Sequence, residues 1–155
     1  MAKETTLAII KPDAVAAKLT GEILRRIEAS GLEIAAIRME RLSWSRARNF
    51  YYVHRDKPFF DSLVDFMTSG PVVLLALRGE DAVARWRSLM GPTDPRKAPK
   101  GTIRGDMGTS IEKNAVHGSD SQGNAVTEVH FFFGGGDLHE VDAEEVWRSG
   151  SDRPQ

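Results

Sequence analysis

Asn114, His117, Ser119 and Asp120 stand together in the stretch N-A-V-H-G-S-D. A core histidine wants apolar neighbours; His117 has an amide, a hydroxyl and a carboxylate. Imidazole titrates near neutrality, so a ring nitrogen is available to attack an electrophile at cellular pH. The same ring could cap a turn, and both readings stand at this point. A nucleophilic ring needs one nitrogen aimed by a hydrogen bond at the other. Glu128, in a helical stretch downstream, could face back to the ring if the chain reverses after His117. The commoner fate of a glutamate is a solvated helix surface.

Three cations extend the constellation. Lys11 follows an apolar run, Arg87 sits beside Trp86, and Arg104 lies in G-T-I-R-G-D. Singly, each reads as solvated. Together they could converge on a polyanion, because arginine offers bidentate donors to phosphate and lysine a point charge. Thr93 and Asn114 would add neutral donors to phosphate or sugar. In Pro58-Phe59-Phe60, one ring can be core and the other must point away. An outward Phe59 could stack on a nucleobase, a contact tolerant of base identity; plain helix packing is the alternative.

Several chemistries are excluded or unsupported. The chain has no cysteine, so disulfides, zinc–thiolate sites and cysteine nucleophiles are absent. Asp13, Asp94, Asp106 and Asp120, and His54, His130 and His139, show no metal-ligand spacing, so no metal site is expected from the chain itself. Neither a Walker A pattern nor a protein-kinase glycine loop is present. A net charge of −1 argues against general nucleic-acid or membrane-surface binding. The N-terminal stretch reads as a strand and not as a leader, and no apolar run approaches a membrane span. Cytoplasm is the expected compartment.

The elements that must position these groups follow from periodicity. T-L-A-I-I and P-V-V-L-L-A-L-R read as buried strands, and L-E-I-A-A-I-R-M-E-R-L as a third. T-G-E-I-L-R-R-I-E-A-S-G has an apolar face at Ile23, Leu24 and Ile27, with Thr20 as N-cap and Gly31 as stop. Two helical stretches, S-W-S-R-A-R-N-F-Y-Y-V-H-R and K-P-F-F-D-S-L-V-D-F-M-T-S-G, form a hairpin. Another helix, E-D-A-V-A-R-W-R-S-L-M, ends at Gly91. The long Pro/Gly-rich loop P-T-D-P-R-K-A-P-K-G-T-I-R-G-D-M-G-T-S then breaks the pattern, as functional or disordered loops do. A short strand around Val116 and a last helix follow. The order reduces to a ferredoxin-like βαββαβ unit: an α+β fold with a four-stranded antiparallel sheet covered by helices, an inserted helical hairpin and a C-terminal helix. The helices would cover one face of the sheet; the other needs cover too, which a partner subunit could supply. Residues 1–136 form one domain, and 137–155 a polar, flexible extension apart from Val141, Val146 and Trp147.

These residues resemble the nucleoside diphosphate kinase family. N-A-V-H-G-S-D-S matches its active-site signature, joined in order and spacing by I-I-K-P-D-A-V, K-P-F-F-D-S-L-V-D-F-M-T-S-G-P-V-V and G-P-T-D-P…G-T-I-R-G-D. The resemblance covers roughly residues 4–135. It implies transfer of the γ-phosphoryl group of a nucleoside triphosphate, typically ATP, to a nucleoside diphosphate in a ping-pong reaction. His117 would carry the group. Glu128 and Ser119 would support its far nitrogen, and Tyr51 would stand beside it. Lys11, Arg87, Arg104 and Thr93 would hold phosphates, Asn114 and Lys11 the ribose, and Phe59 the base. Mg2+ would be held mainly by the nucleotide's own phosphates. The family also implies a homo-oligomer, tetramer or hexamer. Two positions depart from the family pattern: Asp94, commonly Asn, and Met107, commonly aromatic. A non-catalytic nucleotide-binding protein on the same scaffold is the alternative function, and a phosphohydrolase a third.

Overall fold

The computed structural model describes residues 3–148. Four strands form one sheet: β1 (Lys3–Ile10), β2 (Glu33–Glu40), β3 (Val72–Glu80) and β4 (Val116–Gly118), in the order β2-β3-β1-β4. Every neighbouring pair is antiparallel. This is the four-stranded ferredoxin-like sheet expected from the element order.

Both faces of the sheet are covered by the chain itself. Side chains alternate across a strand. Leu7 and Ile9 of β1 and Val72, Leu74 and Ala76 of β3 belong to one apolar cluster; Ala8 and Ile10, with Val73, Leu75 and Leu77, belong to a second. The first cluster is closed by α3 (Trp44–Phe50), α4 (Phe60–Met67) and α7 (Gln122–Phe132) through Ala47, Phe60, Val64, Met67, Val129 and Phe132. The second is closed by α1 (Pro12–Ala16), α2 (Thr20–Ala29), α5 (Ala82–Met90) and α6 (Ile103–Met107) through Ala14, Ile23, Ile27, Trp86 and Ile103. The expectation of one bare face is therefore corrected: the helical hairpin and α7 supply the second layer. The unbroken apolar runs of β1 and β3 carry the reason, since a strand buried on both faces loses polar alternation.

Local chemistry sets the element ends. Ser43, Thr102 and Ser121 cap α3, α6 and α7, their hydroxyls accepting from the N–H groups of Arg46, Gly105 and Asn124. Thr20 is the first residue of α2 and not its cap, which is Leu19. Gly91 ends α5 at φ 83°, where a Cβ would lie 2.7 Å from Thr102 Oγ1. Lys11-Pro12-Asp13 does not simply turn; proline at the first helical position starts α1.

The long loop is built, too. Asp94 caps a 3-10 turn at Pro95–Lys97 and pairs with Arg96, so its departure from the family pattern still closes the loop. Met107 packs at the edge of the second cluster. Asp106 takes Arg26 at 2.8 Å and the Gly101 N–H at 3.0 Å. Past α7, Leu138 packs on the first cluster, the His139 N–H donates to the Ala35 carbonyl at 2.8 Å, and Arg78 pairs with Glu140. Val141, Val146 and Trp147 are exposed, the last two on α8 (Ala143–Trp147). Residues 149–155 of the extension lie outside the described residues.

Candidate active site

His117 is the middle residue of β4, opposite Ile9 of β1. Opposed residues share a face, so the imidazole points to the layer of α3, α4 and α7. Ser121 then caps α7, and the chain reverses. Glu128, in the second turn of α7, meets the ring: His117 Nε2 lies 2.7 Å from Glu128 Oε1. The Ser119 hydroxyl donates to the same oxygen at 3.0 Å, and Ser119 is fully buried. A carboxylate on Nε2 selects the tautomer protonated there and leaves the Nδ1 lone pair free. Both side chains remain about one-fifth exposed. The ring is thus reachable and aimed.

Aromatic rings enclose the other sides. Phe50 meets the imidazole edge-on at 5.6 Å between centroids, and Tyr51 at 6.3 Å. Tyr51 is buried, its hydroxyl has no hydrogen-bond partner among the described residues, and burial with the Glu128 charge keeps it protonated.

A cleft of about 570 Å³ opens in front of the ring, with Lys11, Tyr51, Phe59, His117 and Glu128 in its wall. Phe60 is core, whereas Phe59 is 49% exposed beside this cleft; the His54 ring braces it at 5.7 Å. The outward member of the pair is therefore Phe59. Thr93, Arg87, Arg104 and Asn114 do not line the cleft; Asn114 and Thr93 connect to it through Lys11. Lys11 Nζ donates to Asn114 Oδ1 at 2.8 Å, and Asn114 Nδ2 donates to the Thr93 carbonyl at 3.0 Å. Arg104 donates to the Gly91 and Val116 carbonyls at 3.1 and 2.8 Å, which ties the two ends of the long loop to the strand bearing His117.

Electrostatic coupling links the three cations in a chain, Arg87 to Arg104 to Lys11. Burial and the neighbouring Arg104 charge lower the Lys11 ammonium to about 8. Burial and the nearby Arg87 charge lower Arg104 in turn. An anion placed beside Lys11 and Arg104 would offset both the burial and the like-charge repulsion. Arg87 itself is exposed on α5.

Sequence reasoning missed three supports. The Trp86 indole N–H donates to the His117 carbonyl at 3.1 Å. Gly118 must lack a Cβ, which would sit 2.5 Å from Met90 Cε and 2.7 Å from Trp86 Cδ1. Phe50, in the first stretch of the helical hairpin, touches the imidazole. Gly118 lies within the quoted signature, but Trp86 and Phe50 carry no local signal, because each acts through contact with a distant segment.

Known proteins resemble the chain over most of its length. The nucleoside diphosphate kinase family model matches residues 4–138. The nucleoside diphosphate kinase of Desulfovibrio desulfuricans is 58% identical over 137 residues, 88% of this chain and 99% of its own length. That of Nitrosomonas europaea is 57% identical over 139 residues, 90% of this chain and 99% of its own. Among solved structures, the Aquifex aeolicus nucleoside diphosphate kinase superposes with a TM-score of 0.86 at 47% identity, covering 88% of this chain and 99% of that one. The Halobacterium salinarum nucleoside diphosphate kinase in complex with CDP gives 0.89 at 40% identity, covering 94% and 98%. With a family match over residues 4–138 and relatives 57–58% identical over most of its length, the chain belongs to the nucleoside diphosphate kinase family and is an enzyme.

Proposed function

We propose that His117 Nδ1 carries the phosphoryl group in a two-step exchange between nucleotides. In the first step the Nδ1 lone pair attacks the γ-phosphorus of a nucleoside triphosphate, the bond to the bridging oxygen breaks, and the diphosphate leaves. In the second, another diphosphate enters the same cleft and its terminal oxygen takes the group back from Nδ1. The observation that carries this reading is the 2.7 Å contact between Nε2 and Glu128, which leaves Nδ1 as the free nitrogen. Glu128 stabilises the positive charge that the ring gains on attack, and Ser119 holds Glu128.

The remaining residues bind and orient. Lys11 and Arg104 hold the phosphate chain, with Arg87 and Thr93 at its outer end. Asn114, already bonded to Lys11, offers its amide to the ribose. Phe59 stacks on the base without reading its edges, which suits exchange among nucleotides of different base. CDP in the Halobacterium salinarum relative supports a pyrimidine nucleotide as one occupant. Catalysis is then positioning plus fixed charge.

Mg2+ fits this reading as a passenger of the nucleotide. Among the described residues no group of three or more His, Asp or Glu side chains could hold a metal, and Lys11 stands in the cleft wall. Oxygen donors for Mg2+ therefore come from the phosphates, and the ion would neutralise charge developing on them. A homo-oligomer, tetramer or hexamer, and a cytoplasmic setting complete the reading. Ile37 and Met39, exposed on the edge strand β2, support association of copies. Among the described residues no helix is long and apolar enough to cross a membrane.

Mixing the protein with γ-labelled ATP and removing free nucleotide tests the exchange. The expected product is protein bearing acid-labile, base-stable label that passes to added diphosphate. Label that goes to water points to a phosphohydrolase, and bound nucleotide without label to a non-catalytic binder. His117→Ala should take no label.

A further inference from the structure

The turn that delivers His117 is strained. Ala115 has φ 73°, the left-handed region that penalises any residue with a Cβ. The Val116 N–H donates to the Asn114 carbonyl at 2.9 Å. A bond from i to i+2 across a positive-φ residue is a γ-turn of the rare, strained hand. Such a turn persists only where its surroundings over-determine it. Two contacts do so here. The Lys11 N–H donates to the Ala115 carbonyl at 2.9 Å, and the Ala115 N–H donates to Asp13 Oδ2 at 3.0 Å, 102 residues earlier in the chain. Ala115 is fully buried, so water cannot replace either partner. The second carboxylate oxygen, Oδ1, is buried without a hydrogen-bond partner among the described residues.

The turn sets two directions. On its N-terminal side it sends the Asn114 amide to Lys11 and the Thr93 carbonyl. On its C-terminal side it feeds Val116 and His117 into β4, only three residues long. We propose that Asp13 is a positioning residue for phosphoryl transfer: its carboxylate holds Ala115 in the positive-φ turn and so fixes Asn114 toward Lys11 and His117 toward Glu128. The inference rests on the reading of His117 given above. It has a signature that a merely structural aspartate lacks. Glycine adopts positive φ at no steric cost, so Ala115→Gly should reduce the need for Asp13.

The test measures the single-turnover rate at which γ-labelled ATP labels the protein. Asp13→Ala should slow labelling about tenfold or more, as small misplacements at a reacting centre do. Asp13→Asn, whose amide oxygen still accepts from Ala115, should stay within about threefold of the natural protein. The double variant Asp13→Ala/Ala115→Gly should run within about threefold of Ala115→Gly alone. The inference is overturned if Asp13→Ala labels at the natural rate or the double variant is as slow as Asp13→Ala. It is also overturned if Asp13→Asn is as slow as Asp13→Ala, which would assign the effect to charge. Should Asp13→Ala not fold, recovery of folded, labelled protein on adding Ala115→Gly supports the inference, and a double variant without label overturns it. His117→Ala separates the two readings. Label retained there sinks the phosphohistidine itself, whereas a missing Asp13 pattern with His117 labelling intact sinks only this inference.

Discussion

Glu128→Gln separates charge from shape behind the imidazole. The amide oxygen can still accept from Nε2, yet it no longer balances the positive ring that forms on attack. Labelling by ATP should slow roughly tenfold to a hundredfold, with an unchanged urea midpoint; an unchanged rate would remove Glu128 from the mechanism. Lys11 gives a pH signature. Its free-enzyme ammonium, lowered to about 8 by burial and by Arg104, is charged below that pH and loses its proton above it. The activity that depends on this charge is therefore present on the acid side and lost as pH rises. The kcat/KM profile should fall above about pH 8, and Lys11→Arg should remove that limb. At this scale the sequence was informative where chemistry is carried by the side chain itself: His117, Lys11 and Arg104 were readable by type. Trp86, Phe50 and Asp13 were not, because what they contribute is a contact with another segment's ring or backbone, which no local pattern encodes.

The strand β4 explains how so short an element can aim a catalytic ring. Two of its three carbonyls are held from outside, Val116 by Arg104 and His117 by Trp86. Trp86→Phe keeps most of the buried volume but leaves the His117 carbonyl without its donor. Urea unfolding should show a loss of about 1–3 kcal/mol, and labelling should slow with it; full stability would mean that the indole only fills space. The element pattern was largely legible in the apolar periodicity, which marked the four strands, α2, the hairpin and α7. It missed α1, α6 and α8. Each has five residues, too short for a helical period to register.

Across the whole molecule, the helices on each face of the sheet have different tasks. The α1, α2, α5 and α6 layer anchors the phosphate-side loop through Arg26, Ile103 and Trp86, while the α3, α4 and α7 layer carries Phe59, Tyr51 and Glu128. The sheet between them brings the two sets together at β4. The second layer was missed from sequence because helix faces show that they are apolar without showing which side of the sheet they meet. The segment after α7 fastens to β2 through the His139 N–H, to β3 through Glu140 on Arg78, and to the first cluster through Leu138. Truncation after Gly136 should therefore lower stability by roughly 1–2 kcal/mol, mostly from Leu138 packing and the bond to Ala35, since an exposed ion pair adds little. Labelling of His117 should persist in the truncated protein, and light scattering on both forms would report whether the segment also alters assembly.

The geometry makes its sharpest claim about one atom. Phosphoprotein prepared with ATP from chain carrying nitrogen-15 histidine can be examined by phosphorus–nitrogen NMR to identify the ring nitrogen bonded to phosphorus. The predicted result is a single phosphohistidine at His117 with the group on Nδ1 and the proton on Nε2. A phosphoryl group on Nε2, or on any other residue, would contradict the account.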